Sequence, residues 1–189
     1  YGKLDPELQE QFGDTPSFDD YANVVAWEMQ KFYSDKLIKP MLITEPGTTI
    51  VSKYFHVFMK VLDIKEIRGK NFALLDGSFH NVGEICGLKK VPMKVINVNN
   101  DKNYQDVDFV GYTCLEQDVI YSGYNGNLGI GDIVEIYNVG GYSIVDKPPF
   151  IHPDIPIYML LKDNVSCIKR EQTLEDIFAP YEFVAVEAQ

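Results

Sequence analysis

The sequence predicts two parts, an α/β fragment over residues 1–49 and an all-β barrel or sandwich over residues 50–189. Three observations predict this division. An amphipathic helix and a short apolar run lie between residues 17 and 43. Strand-like segments follow from about residue 50 with no helix between them, and turn-forming clusters separate those segments. The boundary is therefore expected near residue 50.

The first part is predicted to contain one helix and one buried strand. Ser17 and Asp20 have the spacing of a capping box, which marks a helix start. Apolar residues then recur every three or four positions, as on one face of a helix: Phe18, Tyr21, Val25, Met29 and Phe32. The apolar run 41–43, bounded by two prolines, predicts a short buried strand. A single helix–strand unit cannot bury both of its faces, so further α/β chain is expected upstream.

The second part is predicted to consist of short strands joined by turns. Leu62 and Ile64 alternate with polar residues, and Arg68-Gly69-Lys70 is typical of a hairpin turn. Asn125-Gly126-Asn127 is interpreted as a further turn cluster. The remaining strand candidates are residues 72–75, 91–98, 107–112, 133–139 and 155–161.

Composition excludes several classes of partner and site. The 189 residues carry 17 basic against 28 acidic side chains, a net charge of −11, which argues against binding to nucleic acid or anionic membranes. No apolar run reaches the roughly 20 residues that a membrane helix needs. Cys86, Cys114 and Cys167 form no C-x-x-C pair, which argues against a zinc site or a disulfide framework. We therefore expect a cytoplasmic protein.

Three loop segments could carry chemistry, and each has a plainer interpretation. Glu45 follows the predicted buried strand, where α/β folds bind ligands, but Pro46-Gly47 also marks an ordinary tight turn. Cys114 ends a predicted strand and is either a reactive thiol or a small packed hydrophobe. Gly140 and Gly141 could let the backbone approach a ligand beside Tyr142, or could form a bulge with a packed tyrosine.

The order of four motifs resembles one family. The motifs are E-P-G-x-x-I-V from Glu45, D-G-S-F from Asp76, G-x-T-C-x-x-x-D-V-I from Gly111 and G-D-x-V-x-I-x-x-x-G-G-Y from Gly131. Together they resemble the C-terminal half of the fold-type III pyridoxal-phosphate (PLP) decarboxylases, which include diaminopimelate and ornithine decarboxylases. The resemblance covers residues 17 to about 160. It implies that residues 1–49 are the end of a (β/α)8 barrel and that the rest is the family's β domain.

The resemblance implies a set of cofactor-binding residues. Glu45 matches the carboxylate that keeps the pyridine nitrogen of PLP protonated, which the cofactor needs to act as an electron sink. Gly47 matches the glycine of the turn beneath the cofactor, and Tyr142 matches the tyrosine that bonds its phosphate. Thr48 stands where the family usually has an arginine, so one hydroxyl replaces a positive charge near the phosphate.

The resemblance also implies a catalytic thiol and a shared active site. Cys114 matches a cysteine that reaches across a two-fold dimer interface and supplies the proton that the substrate Cα requires after carbon dioxide leaves. The family's next residue is an acid that holds the distal amino group of the substrate, whereas this chain has Leu115. A clamping arginine is also missing around residues 81–84. These departures predict a modified amino acid, from siderophore, antibiotic or polyamine-like biosynthesis, rather than diaminopimelate or a plain diamine precursor.

The cofactor lysine of the family has no counterpart in this chain. We therefore expect the chain to be inactive alone and to act with an N-terminal barrel portion that carries the lysine. Two alternatives remain: a non-catalytic homologue that binds or regulates a partner, and an amino-acid racemase of the same fold type.

Overall fold

The structure is a computed structural model that describes residues 10, 16–83, 91–96, 98, 102–147 and 150–183. The described helices are α1 (Phe18–Tyr33), α2 (Gly47–Val51) and α3 (Leu174–Phe178). The strands are β1 (Val57–Ile67), β2 (Lys70–Leu75), β3 (Met93–Ile96), β4 (Lys102–Val110), β5 (Val119–Leu128), β6 (Ile133–Ile136), β7 (Ile157–Leu161) and β8 (Asn164–Lys169). Among the described helices, none is long and apolar enough to cross a membrane.

The predicted helix start is confirmed. Ser17 caps α1: the backbone N–H of Asp20 donates to its hydroxyl at 3.1 Å, and the Ser17 N–H donates to the Asp20 carboxylate at 2.8 Å. The apolar stripe of α1 remains uncovered, since no residue of this helix is buried by the described chain. Phe18 and Phe32, for example, are more than half exposed.

The strand predicted at residues 41–43 is wrong for the described chain. These residues form no strand and pair with no described strand, and Met41, Leu42 and Ile43 are all exposed. A parallel strand forms its hydrogen bonds with neighbouring strands, and neighbouring elements cover both of its faces. No described segment supplies them here, so the α/β barrel unit stays a prediction.

The predicted β architecture is confirmed for the sheet between residues 57 and 136, whereas the short helix α3 lies within the part predicted to be all β. Six strands form one nearly closed, barrel-like sheet in the order β3-β6-β1-β2-β4-β5. All neighbours are antiparallel except β2 and β4, which pair in parallel from Asn71 with Val107 to Leu74 with Val110. Strands β7 and β8 form a separate hairpin.

Alternating side chains build the core inside the sheet. On β1, Val57, Met59 and Val61 point inward while Phe58 and Lys60 are exposed. This is the period-2 pattern of a sheet with one covered face. The other strands contribute buried side chains from the same inner face: Ala73, Leu75, Val107, Phe109, Ile120, Leu128, Val134 and Ile136.

The structure corrects several predicted turns and strand limits. The hairpin turn is confirmed, because Arg68 and Gly69 both have positive φ (54° and 81°) between paired Ile67 and Lys70. Residues 125–127 form no turn; they lie within β5, where the Tyr124 hydroxyl donates to the Asn127 carbonyl at 2.9 Å. β6 ends at Ile136 rather than residue 139, and β4 begins at Lys102 rather than residue 107.

Candidate functional site

The first cluster of predicted site residues joins α2 to the loop that follows β6. The Gly140 N–H donates to the Ser52 carbonyl at 3.2 Å, and a Cβ added at Gly140 would overlap the Val51 carbonyl. A Cβ at Gly141 would lie only 2.9 Å from Cγ2 of Thr48. The two glycines therefore allow the loop to lie directly against α2, because any side chain would displace one segment from the other.

This contact brings two hydroxyl-bearing residues onto adjoining segments. Thr48 is half-buried, and Tyr142 follows the Gly141 contact with φ of +66° and 63% exposure. A non-glycine residue in this left-handed region is strained, so its neighbours must hold it there. Neutral hydroxyl donors on touching segments fit a phosphate group, although neither brings positive charge.

Glu45 and Gly47 face open space in the described chain. Glu45 is exposed in the segment before α2. A Cβ built on Gly47 would meet no described atom within 4 Å. The cofactor-binding roles of Glu45 and Gly47 therefore stay predictions.

The second cluster is organised by one buried carboxylate, Asp118, which is 2% exposed. Its Oδ2 accepts hydrogen bonds from the Ser78 hydroxyl (2.9 Å), the Thr113 hydroxyl (2.6 Å) and the Thr113 N–H (3.2 Å). Its Oδ1 accepts from the Phe79 N–H at 2.9 Å. Asp118 thus binds the D-G-S-F segment to the G-x-T-C segment, two motifs that are more than thirty residues apart in the chain.

Cys114 and Leu115 lie on the loop that this carboxylate closes. The loop is also bonded internally: the Leu115 N–H donates to the Thr113 hydroxyl at 3.3 Å, and the Asp118 N–H donates to the Leu115 carbonyl at 3.0 Å. Cys114 is a free, exposed cysteine, which makes the packed-hydrophobe interpretation wrong for the described chain. Leu115 is half-buried, so an apolar side chain occupies the position of the family's acid.

The segment from Ser78 to Gly83 connects the two clusters. The buried Asn81 side chain accepts from the Ser78 N–H at 2.9 Å and lies 3.5 Å from the Tyr112 hydroxyl. At the other end of the segment, a Cβ on Gly83 would be 3.5 Å from the Tyr142 carbonyl oxygen. Burial raises the pKa of the Tyr112 phenol, which therefore stays protonated as a donor at neutral pH.

The side chain of Lys147 links this connecting segment to Asp154. This side chain is 4% exposed, and its ammonium donates to the Asn81 carbonyl at 3.0 Å and to Asp154 Oδ1 at 2.7 Å. The other oxygen of Asp154 receives Lys169 at 2.9 Å. Burial alone would raise the pKa of Asp154, but the two lysines outweigh it and hold the pKa below its ordinary value.

Sequence reasoning missed the residues that hold the two clusters together. Asp118 was part of a recognised motif, but its role depends on a fold that returns Ser78 to it. Ser78 and Asn81 have capping-box spacing, which is a readable signal for the short 3-10 helix Phe79–Asn81. No sequence signal pairs Lys147 with Asp154. Cys86 and the region of Glu84, Lys89 and Lys90 lie outside the described residues.

Comparisons with known proteins identify similar proteins. Residues 48–140 match the family described as the pyridoxal-dependent decarboxylase, C-terminal sheet domain. The chain is 27% identical over 168 residues to a diaminopimelate decarboxylase of Methanocaldococcus jannaschii, covering 87% of this chain and 37% of that protein. It is 33% identical over 106 residues to a carboxynorspermidine/carboxyspermidine decarboxylase of Herminiimonas arsenicoxydans, covering 54% of this chain and 27% of that protein.

The fold is also that of a solved decarboxylase. The crystal structure of diaminopimelate decarboxylase from M. jannaschii superposes with a TM-score of 0.76 at 23% identity, over 92% of this chain and 40% of that one. The chain thus spans about two-fifths of the length of the first relatives that it matches.

Proposed function

We propose that this chain is the C-terminal part of a fold-type III PLP decarboxylase, to which its match and relatives are similar, and that the complete protein is a PLP-dependent amino-acid decarboxylase. The observation that carries the proposal is the match of residues 48–140, which includes Thr48, the D-G-S-F segment and the Cys114 loop. A barrel portion would supply the lysine that holds the cofactor. A racemase is disfavoured, because the curated relatives reported above are decarboxylases.

In this proposal the first cluster holds the phosphate end of the cofactor. Thr48 and Tyr142 would donate hydroxyl hydrogen bonds to the phosphate, and Glu45 would face the ring nitrogen. When bound there, PLP supplies an electron sink for cleavage of the substrate carboxylate. Because Thr48 replaces a charged residue, Tyr142 should carry a large share of the phosphate binding.

The matched pair Tyr142→Phe and Tyr158→Phe tests this assignment. Both tyrosines are about 60% exposed, but Tyr158 lies on β7, outside the cluster. In the complete protein, Tyr142→Phe should weaken PLP binding about tenfold, the scale of one hydrogen bond to a charged group, while Tyr158→Phe leaves it unchanged. Titration of the visible absorbance of the bound cofactor measures both. Equal affinities in the two variants would contradict the phosphate assignment.

The second cluster would deliver a proton to the substrate in a dimer with shared sites. The Cys114 thiol is exposed, as a side chain that completes a partner's cavity must be. It would donate its proton to the substrate Cα after carbon dioxide leaves. In the complete protein, Cys114→Ala should lower kcat, while Cys167→Ala, another exposed cysteine, should not. An equal loss in both variants would argue against a catalytic thiol.

The apolar side chain of Leu115 cannot bind an ammonium group, and it therefore favours a substrate that presents no primary ammonium group to this residue. Its backbone is fixed by hydrogen bonds on both sides, so the half-buried side chain has a defined place. A modified amino acid of a polyamine-like or related pathway fits this apolar position, and the likeness to a carboxynorspermidine/carboxyspermidine decarboxylase favours the polyamine-like class.

Release of carbon dioxide from a panel of amino acids tests the substrate class. Wild-type protein should prefer a modified amino acid over diaminopimelate, lysine and ornithine. Leu115→Glu should gain activity on substrates with a free distal ammonium, whereas Leu115→Gln, of the same size but neutral, should gain less. Efficient wild-type turnover of diaminopimelate would refute this specificity and leave the decarboxylase proposal standing.

A further inference from the structure

We propose that Asp118 and Thr113 are positioning residues that fix the Cys114 loop for proton transfer. This inference rests on the proposed function, because it assigns a reason for which the loop must be rigid. Neither residue is proposed to touch the substrate. Their role is to set where the exposed thiol lies.

The hydrogen bonds of Asp118 are concentrated on one oxygen of its carboxylate. Four described donors reach the side chain: the Ser78 hydroxyl and the hydroxyl and N–H of Thr113 donate to Oδ2, and the Phe79 N–H donates to Oδ1. All four donors are neutral, so within the described part of the chain oriented dipoles stabilise this buried carboxylate. Such a site tolerates little displacement, because each lost donor leaves part of a buried charge unsolvated.

The same hydrogen bonds restrain the two residues on either side of Cys114. Thr113 precedes the cysteine and is bound to Asp118 through both its N–H and its hydroxyl. Leu115 follows the cysteine and is bound to the same Thr113 hydroxyl, and its carbonyl receives the Asp118 N–H. Both neighbours of Cys114 are therefore fixed, while the thiol itself stays exposed.

Close packing beneath the carboxylate adds a second restraint. A Cβ at Gly111 would overlap both oxygens of Asp118, and the Gly111 N–H donates to the Asp118 carbonyl at 2.9 Å. The loop from residue 111 to residue 118 is therefore closed at its base. An exposed loop whose buried base is held by several hydrogen bonds suits a reactive side chain that must reach out with a fixed geometry.

Two substitutions break this arrangement without changing side-chain size. In Asp118→Asn, whichever way the amide is turned, its N–H₂ faces a backbone N–H that had donated to an oxygen: Phe79 on one side or Thr113 on the other. Thr113→Val removes the hydroxyl that links Asp118 to Leu115. Thr113→Ser keeps that hydroxyl and is the conservative rescue.

Asp132 provides a matched control elsewhere in the sheet. It is fully buried, and each of its oxygens also accepts from a backbone N–H, that of Val98 at one oxygen and that of Gly129 at the other, both at 2.9 Å. Asp132→Asn therefore imposes the same chemical defect, but on the turn before β6 rather than on the Cys114 loop.

The experiment combines hydrogen exchange with steady-state kinetics on the complete protein loaded with PLP. In Asp118→Asn and Thr113→Val, amides of residues 111–119 should exchange about tenfold faster, as expected when a local structure opens more often. Amides of residues 129–136 should not change in these two variants. Asp132→Asn should show the reverse pattern.

Kinetics separate positioning from general stability. Asp118→Asn and Thr113→Val should lower kcat about tenfold or more, since a misplacement of about 1 Å at a reacting group costs up to about a hundredfold. KM should stay within about twofold, because the proposed role lies in proton delivery rather than substrate binding. Thr113→Ser and Asp132→Asn should keep kcat within about twofold of wild type.

Each outcome decides the proposal. Faster exchange in the Cys114 loop together with the selective loss of kcat supports it. Faster exchange with unchanged kcat, unchanged exchange with lower kcat, or an equal loss in Asp132→Asn would overturn it, while the decarboxylase proposal stands. A wild-type protein that binds PLP but decarboxylates no amino acid would refute the proposed function and, with it, the catalytic reason for positioning.

Discussion

Replacing Asp154 with asparagine should destabilise the protein more than replacing Lys147, its more buried partner, with methionine. Asp154 accepts from Lys147 at 2.7 Å and from Lys169 at 2.9 Å. Asp154→Asn removes the negative charge beside the ammonium of Lys147, whose side chain is 4% exposed, and leaves it with neutral acceptors such as the Asn81 carbonyl. Leaving a buried charge without its counter-ion costs about 3–5 kcal/mol of unfolding free energy.

The reverse substitution should cost less because the pair is asymmetric. In Lys147→Met the carboxylate keeps Lys169, which is 34% exposed and shares its charge with water. The Asn81 carbonyl loses its Lys147 donor, and the expected loss is about 1–3 kcal/mol, the range for a buried acceptor left without a donor. The double variant should lose less than the sum of the two single losses, since the two groups contact one another directly.

Urea denaturation followed by far-UV circular dichroism measures the series, and pH supplies a second test. The pKa of Asp154 is lowered in the folded state, so its stabilisation is complete above its unfolded pKa of about 4 and is lost as pH falls through the lower folded value. The gap between wild type and Asp154→Asn should shrink over that acidic window. A larger loss in Lys147→Met, or a gap that does not change with pH, would refute the reasoning.

Five further substitutions test the fold by the same denaturation assay. Gly140→Ala should cost about 1–3 kcal/mol, because its methyl group would overlap the last turn of α2. Gly47→Ala, where the space around the Cβ is open, should be neutral or stabilising by about 0.5 kcal/mol. Equal effects of the two substitutions would contradict the close contact at Gly140. Leu75→Ala, in the core, should cost about 2–5 kcal/mol, and Leu62→Ala, at 45% exposure, well under half of that loss. Ser17→Ala should cost about 1 kcal/mol through the lost helix cap, and an unchanged midpoint would show that α1 does not unfold with the sheet.

Local signals predicted the parts of the fold whose causes are local. The cap at Ser17 and the turn at Arg68-Gly69 each depend on residues within four positions of one another, and both are present. A turn was the wrong prediction for Asn125-Gly126-Asn127, whose residues are typical of turns. In the structure, pairing with β4 keeps it in a strand, and Gly126 leaves room for the Tyr124 ring. Tertiary contacts here outweigh local preference.

The site could be predicted only as separate residues. The motifs identify Thr48, Cys114 and Tyr142 along the chain. The sequence alone does not show that Thr48 contacts Gly141, or that Asp118 accepts hydrogen bonds from two separate segments. The strand expected at residues 41–43 failed for a related reason. Its apolar character is real, but burial depends on neighbouring strands that no pattern within the run can supply.

The order of strands in the sheet has a consequence for biosynthesis. Strand β1 pairs on one side with β2, its immediate successor, and on the other with β6, which the ribosome makes much later. Until residue 136 has left the exit tunnel, the nascent β1 keeps one open edge and an uncovered apolar face. Such an intermediate invites pairing with other chains. Folding yield should therefore depend on chaperone supply during translation, and a pause engineered while residues 133–136 are still inside the tunnel should lower it more than one placed after they have emerged.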